Sequence, residues 1–303
     1  MISTRKAYGE FLTEIGDNPD VVVLDADLAA ATKTDMFKKE YPERHIDVGI
    51  AEQDLVGTAV GLALSGKTVF ASTFAMFMAG RAYDQVRNMA AYSHANVNLC
   101  ATHAGVMVGE DGPTHQCIED IAIMNVIPTM KVFCPADGVS TKKILSICMN
   151  EDGPKYIRLG RSDLPELYTD EEFHVGGSHT CGDGKDGTVF ATGSTVSIAL
   201  EAQNELKEKG INIRVVDLYS IKPVDKEEIV RCAKETEKLV TIEDHSIIGG
   251  IGSIVSDVLT ELYPKKVEKI GINDTFGKSG KWTEVYKYFG LTKENIMYKF
   301  IKE

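Results

Sequence analysis

Apolar residues recur along this chain in an alternation of two periods. Tyr8, Phe11, Leu12 and Ile15 fall at helical spacing within Lys6–Ile15, and Val21-Val22-Val23-Leu24 is then an unbroken apolar run that closes on Asp25 and Asp27. A strand that is apolar on both faces belongs to a parallel sheet covered by helices, and ligands collect beyond the carboxyl ends of such strands. The alternation continues with strands predicted at 45–50, 68–72, 97–102, 129–134 and 155–159. Between them, helices are predicted from Glu52 onward, over 82–91 and over 138–149. The helix from Glu52 carries an apolar stripe (Leu55, Ala59, Leu62, Ala63), and its small residues, Gly57, Ala59, Gly61 and Ala63, allow close packing against a neighbour.

Composition shifts at Asp170–Gly187, which is polar and rich in glycine and acid, and the pattern then resumes. Strands are predicted at 188–191, 213–218, 239–242 and near 269–272, with helices over 196–209, 226–234 and 251–262. Residues 287–289 and 294–299 read as closing helices. The fold class is α/β, in two consecutive domains that are each a mainly parallel sheet flanked by helices. The expected boundaries are 1–168 for the first domain, 169–187 for a linker and 188–303 for the second.

With 303 residues, 43% of them hydrophobic, the chain can bury a large core. Its formal net charge of -12 argues against nucleic acid or an anionic membrane as the main partner. No apolar run approaches the roughly 20 residues of a membrane span, and Met1–Lys6 lacks a signal-peptide pattern, so a cytoplasmic protein is expected. The six cysteines are scattered with no C-x-x-C pair. Reduced, buried thiols are expected, with Cys181 the most exposed, and no structural metal.

The densest chemistry lies in Gly109-Glu110-Asp111-Gly112-Pro113-Thr114-His115-Gln116. Two glycines and a proline make it a fixed loop, and loops carrying acids and histidine often hold function. By itself it reads equally well as a solvated turn. His103 follows a predicted strand a dozen residues earlier, and two histidines near one strand end with Asp111 form a candidate site. Asp27 stands at a ligand-facing strand end or caps a helix. Glu52 complements a helix dipole or is a buried functional acid. Phe74 and Phe77 share one side of a turn, where aromatic pairs more often serve the core. Arg161, past a strand end, is a surface charge or a clamp for phosphate or carboxylate.

Together these segments resemble the C-terminal half of the transketolase family, from Thr4 to the end of the chain. Gly49-Ile50-Ala51-Glu52-Gln53 is similar to the segment whose glutamate activates thiamine diphosphate, and Ser72–Phe77 to the segment whose rings hold the aminopyrimidine. Thr102-His103, Gly109–Gln116 and Arg161 match the substrate-channel signatures in order and approximate spacing. The resemblance implies a pyrimidine-binding domain followed by the family's C-terminal domain. It also implies transfer of a two-carbon ketol unit between sugar phosphates, as in the pentose phosphate pathway. Glu52 would bond the pyrimidine and, kept protonated by burial, favour the tautomer that accepts the cofactor's proton. Phe77 would stack on the pyrimidine, Phe74 would line its pocket, and Asp27 would lie on the cofactor side. His103 and His115 would contact sugar hydroxyls and assist proton transfer, and Asp111 would accept from a hydroxyl near the cleaved bond. Arg161 and Arg5 would hold the substrate phosphate.

Two positions depart from the family pattern. Gly80 falls near a pocket tyrosine, for which Tyr83 is the available substitute. Ala31 falls near a phosphate-binding serine, with Thr32 or Thr34 as substitutes. The larger departure concerns the diphosphate and its Mg²⁺ or other divalent cation, which the family holds on a further domain through Gly-Asp-Gly…Asn after a buried strand. Gly182-Asp183-Gly184 with Asn212 imitates that motif, but the predicted strand comes after it and 177–181 reads as loop, so it is rejected. Gly249-Gly250-Ile251-Gly252 reads as a packing turn in preference to a phosphate loop. The expected partner is therefore an N-terminal transketolase subunit that binds the diphosphate, in a symmetric assembly such as a heterotetramer. A methionine placed just before the domain favours a separately encoded subunit over a fragment. The alternatives are the corresponding part of a 1-deoxyxylulose-5-phosphate synthase and a non-catalytic assembly subunit.

Overall fold

A computed structural model describes residues 1–301 and contains two sheets. The first draws on β1 (Val21–Asp25), β2 (His45–Asp47), β3 (Thr68–Phe74), β4 (Val97–Thr102), β5 (Lys131–Phe133) and β6 (Lys155–Arg158). The second draws on β7 (His179–Cys181), β8 (Gly187–Ala191), β9 (Ile213–Asp217), β11 (Lys238–Ser246) and β12 (Val267–Ile272). Between them in sequence, β10 (Ser220–Lys222) crosses back and pairs antiparallel with β5. The first sheet thus has seven strands in the order β10-β5-β6-β4-β3-β1-β2, and the second has five in the order β12-β11-β8-β9-β7. Pairing is parallel except at the edge strands β7 and β10.

The doubly apolar strands divide their side chains between two cores. Val21 and Val23 of β1 join one buried cluster, while Val22 and Leu24 join another on the opposite face. In the second sheet Val189 and Ala191 face one way and Phe190 the other. The inner cluster is shared, running from Tyr8, Phe11 and Phe70 to Val189, Ile242 and Tyr286, so one apolar interior joins both sheets. A buried ion pair crosses the same region: Arg158 donates to Asp120 at 2.8 Å and to the Asp244 carbonyl at 2.8 Å.

Helix boundaries obey local chemistry. The helix Gly138–Asn150 starts at a capping box in which Asp137 accepts from the Ser140 N–H and Ser140 Oγ accepts from the Asp137 N–H. The helix Ile251–Leu262 starts on Glu243, whose carboxylate accepts the N–H groups of Ile251 (2.7 Å) and Gly252 (2.9 Å). That buried carboxylate occupies the helix N-terminus, so Gly249–Gly252 is a packing turn. Helix Glu52–Leu64 buries Leu55, Val56, Ala59 and Val60 against the first sheet.

Two strands escaped the pattern. β7 lies inside the stretch expected as linker, and β10 comes only two residues after β9. Each has three residues, too few to show a period, and is defined by its partner strand. β7 also removes one ground for rejecting Gly182-Asp183-Gly184, because a strand does precede it. That strand is a half-exposed edge, however, and Gly184 packs on the Asn212 backbone beside the amino ends of β8 and β9, opposite to where ligands collect. The last helices are Trp282–Phe289 and Lys293–Phe300, the first beginning five residues before its expected start. Five of the six cysteines are buried, Cys181 is half-buried, and all six are free. No helix of the described residues is long and apolar enough to cross a membrane.

Candidate active site

The carboxyl ends of β1, β3, β4 and β6 lie side by side in the first sheet, and the segments leaving them meet. At β1 the sequence pointed to Asp27, but the buried acid is Asp25. It accepts from Thr32 Oγ1 at 2.6 Å, Thr34 Oγ1 at 2.9 Å and the Leu28 N–H at 2.6 Å. Burial pushes the Asp25 pKa up to about 6. Thr32 and Thr34 are buried and committed to this carboxyl group, so neither is free to replace the missing serine. Its position as the last residue of an apolar strand was the available signal for Asp25.

Asp27 is exposed and left-handed, with φ 58°. Its N–H donates to Asp47 Oδ1 at 3.0 Å, as does the Gly49 N–H at 2.9 Å, which ties the ends of β1 and β2 to the turn before Glu52. Glu52 opens its helix with only 2% of its surface exposed. Its Oε2 has no hydrogen-bond donor among the described residues, and Arg81 Nη1 stands 3.5 Å away. A buried carboxyl oxygen without a donor is costly unless something else satisfies it.

Phe74 ends β3 and Phe77 starts the wide helical turns beyond it, so the rings stack with centroids 5.7 Å apart at 18°. Arg81 lies over the outer ring at 5.8 Å. Phe74 pairs in register with Thr102, which brings the His103 ring to 3.9 Å from the Phe74 ring. His115 approaches both rings edge-on, at 6.2 Å from Phe74 and 5.6 Å from Phe77. The aromatic pair thus faces the site as well as the interior. Gly80 is exposed and Tyr83 half-buried. A Cβ at Gly80 would come within 2.7 Å of Met76 Cε.

His103 is 3% exposed and left-handed, with φ 59°. Arg5 Nη1 lies 3.2 Å from its Nε2, and a guanidinium can only donate, so Nε2 accepts and Nδ1 carries the proton toward Thr102 Oγ1 at 2.9 Å. Burial, reinforced by the charges of Arg5 and Arg161, pushes the His103 pKa down to about 3. Arg5 also donates to the carbonyls of Ala31 at 2.8 Å and Arg161 at 3.0 Å. Ala31 thus orients Arg5 through its carbonyl, an acceptor that does not replace a serine donor to phosphate.

The octapeptide is more helical than its composition indicated, since Gly109–Asp111 complete a tight turn over Val106–Asp111 that breaks at Gly109 (φ 79°). Asp111 and Arg161 stand at the rim, 41% and 34% exposed, and pair at 3.1 Å. Arg161 also donates to the Val108 carbonyl at 2.6 Å. Thr114 Oγ1 contacts His115 Nδ1 at 2.9 Å. Arg5, Phe74, Phe77, His103, Asp111, His115 and Arg161 form one connected group, and Glu52 joins it through Arg81 and Phe77. Asp27 is tied to the turn before Glu52 by backbone alone.

Known proteins carry the same two domains. Residues 1–166 match the transketolase pyrimidine-binding domain and residues 178–296 the transketolase C-terminal domain. A Methanocaldococcus jannaschii protein described as a transketolase C-terminal section is 48% identical over 99% of this chain and 95% of its own length. Human transketolase is 42% identical over 97% of this chain, which spans 48% of the human protein. A structure described as a split-gene transketolase in an inactive β4 tetramer superposes with a TM-score of 0.92 at 48% identity, covering 98% of this chain and 97% of that one. By these matches, and by the arrangement at the carboxyl ends of its first sheet, the chain belongs to the transketolase family.

Proposed function

We propose that this chain is one subunit of a two-chain transketolase, carrying a two-carbon ketol unit between sugar phosphates with thiamine diphosphate. One observation carries the reading: the buried, undonated Glu52 Oε2 is linked through Arg81 to Phe77, which stacks on Phe74. A buried carboxyl group and a stacked aromatic pair joined by one arginine suit an aminopyrimidine, which offers a nitrogen to an acid and a face to a ring. When bound, thiamine diphosphate would supply the carbon nucleophile that accepts the ketol fragment. Glu52 would hold a proton at the pyrimidine nitrogen.

The other residues act on the sugar. Neutral His103 offers Nε2 as an acceptor once a sugar hydroxyl replaces the Arg5 contact, and His115 faces the same space. Arg5 and Arg161 supply guanidinium groups for the phosphate. Asp111, released from Arg161 when that phosphate arrives, becomes an acceptor for a substrate hydroxyl. The relatives that match nearly the whole chain at 42–48% identity are transketolases or sections of one, so the deoxyxylulose-phosphate synthase alternative is not favoured.

The diphosphate and its divalent cation are assigned to a partner chain, an N-terminal transketolase subunit. The high similarity to a split-gene transketolase, in a tetramer described as inactive, supports that division. Self-association is assigned to the side of helix Glu52–Leu64, where Ile50, Leu64, Met89 and Tyr92 are exposed and Met89 rests against Gly57. The reading places the protein in the cytoplasm, consistent with six free thiols.

The test measures ketol transfer by the chain alone and with a diphosphate-binding chain, with thiamine diphosphate and Mg²⁺. Activity is expected only in the complex, and Glu52→Ala is expected to lower it by about 10²–10⁴-fold. Transfer by the isolated chain would end the two-chain reading. Unchanged turnover in Glu52→Ala would leave the chain a scaffold.

A further inference from the structure

We infer that Asp244, a residue of the C-terminal domain, is a positioning residue that sets the substrate loop Gly105–Gln116 and, through it, Asp111, His115 and Arg161. The inference rests on the transketolase reading of that loop. Asp244 lies near the end of β11, 2% exposed, and its carboxylate bridges the first domain and its own. Oδ1 accepts the Val106 N–H at 2.9 Å. Oδ2 accepts the Met107 N–H at 3.4 Å and the Tyr286 hydroxyl at 2.8 Å, and that hydroxyl also meets Ser194 Oγ at 2.7 Å. Three donors converging on one buried carboxylate define a single geometry for the first turn of the loop. The Asp244 carbonyl is held in turn by Arg158.

The close approach is built into the sequence. Gly105 has φ 73°, and a methyl group there would overlap the Asp244 carboxylate, so only glycine admits this contact. The far end of the loop is anchored on the same domain. Gln116 Nε2 donates to the Lys278 carbonyl at 2.8 Å, and a methyl group at Gly277 would overlap the Gln116 side chain. Between the anchors lie the Val108 carbonyl and Asp111, both bonded to Arg161. The C-terminal domain is thus the template on which the sugar-facing loop is formed. Glu52, Phe74 and Phe77 stand on other elements, the helix Glu52–Leu64 and the end of β3. Loss of the Asp244 contacts should therefore displace the sugar groups and leave the pyrimidine side in place.

The test uses Asp244→Asn, which keeps the shape and turns one acceptor into a donor facing the loop or Tyr286. Hydrogen exchange read by mass spectrometry on the chain needs neither cofactor nor sugar. Peptides covering 105–112 should exchange at least tenfold faster, with helix Glu52–Leu64 unchanged. In the complex with a diphosphate-binding chain, kcat/KM for sugar phosphates should fall at least tenfold, mostly through KM. Proton exchange at the thiazolium C2 of bound thiamine diphosphate should stay within twofold of wild type. Tyr286→Phe, which removes a single donor, should show the same pattern at threefold or more, and it decides the matter if Asp244→Asn does not fold. Unchanged loop exchange overturns the inference, and so does a loss spread equally over helix Glu52–Leu64 or over C2 exchange. A wild-type complex without ketol transfer overturns the functional reading and this one with it, an outcome distinct from a loop indifferent to Asp244.

Discussion

Lowering the pH should cost this protein stability through His103, by an amount that one substitution removes. The ring is 3% exposed, receives Arg5 on Nε2 and has its pKa pushed from 6.5 to about 3. A folded-state pKa below the unfolded one means that its contribution is present above pH 6.5 and is lost as pH falls toward 3, because the unfolded chain takes up the proton first. Each unit below 6.5 costs about 1.4 kcal/mol, so between pH 7.5 and 5.0 His103 should cost about 2 kcal/mol. Other groups titrate in this window. His245, held near 4 by burial, acts in the same direction. Asp25, Glu243 and Asp217, raised to about 6, 7 and 8 by burial, act in the opposite one, since their contribution is lost as pH rises. The His103 share is therefore read as a difference. Asn tolerates the left-handed backbone of this position, so His103→Asn changes the titration with little change of backbone. Urea unfolding of wild type and variant at pH 7.5 and 5.0 should show the variant losing about 2 kcal/mol less on acidification. A difference below about 0.5 kcal/mol, or a His103 ring resonance titrating near pH 6.5, would refute the reasoning.

Two more outcomes are expected from the same contacts. Arg158→Met leaves Asp120 buried without its cation, and since the pair is 6% and 0% exposed, unfolding free energy should fall by about 3–5 kcal/mol, measured by urea denaturation. Arg5→Leu removes a cation beside His103 and one expected phosphate contact. The ring pKa, measured by NMR, should rise while staying below 6.5 because burial is the first cause of its depression. In the complex, KM for sugar phosphates should rise at least tenfold.

Much of the site was readable along the chain because its residues terminate apolar strands. Phe74, His103 and Arg161 each stand just past a predicted strand of one parallel sheet, and parallel strands bring their carboxyl-end residues to one edge. The aromatic pair was harder to read, because spacing alone cannot show whether rings face a core or a cavity. Thr32 and Thr34, the substitutes available by position, both donate to Asp25, a pairing that has no sequence signature because it forms only when the end of β1 is buried. The contact between Asp111 and Arg161, which lie 50 residues apart in sequence, has no local signature.

Periodicity is a local property, and for this chain it sufficed for the α/β class, the order of most elements and the strand ends where chemistry collects. Short edge strands and buried carboxylates depend on partners far away in sequence. β10 is a strand only because β5 offers an unpaired edge, and the Asp244 side chain points at Val106 from 138 residues away. Hydrogen-bond partners across domains, the protonation of His103 and the seating of the loop Gly105–Gln116 on the C-terminal domain arise from burial and close approach. Those are set only once the two sheets have closed around their shared core.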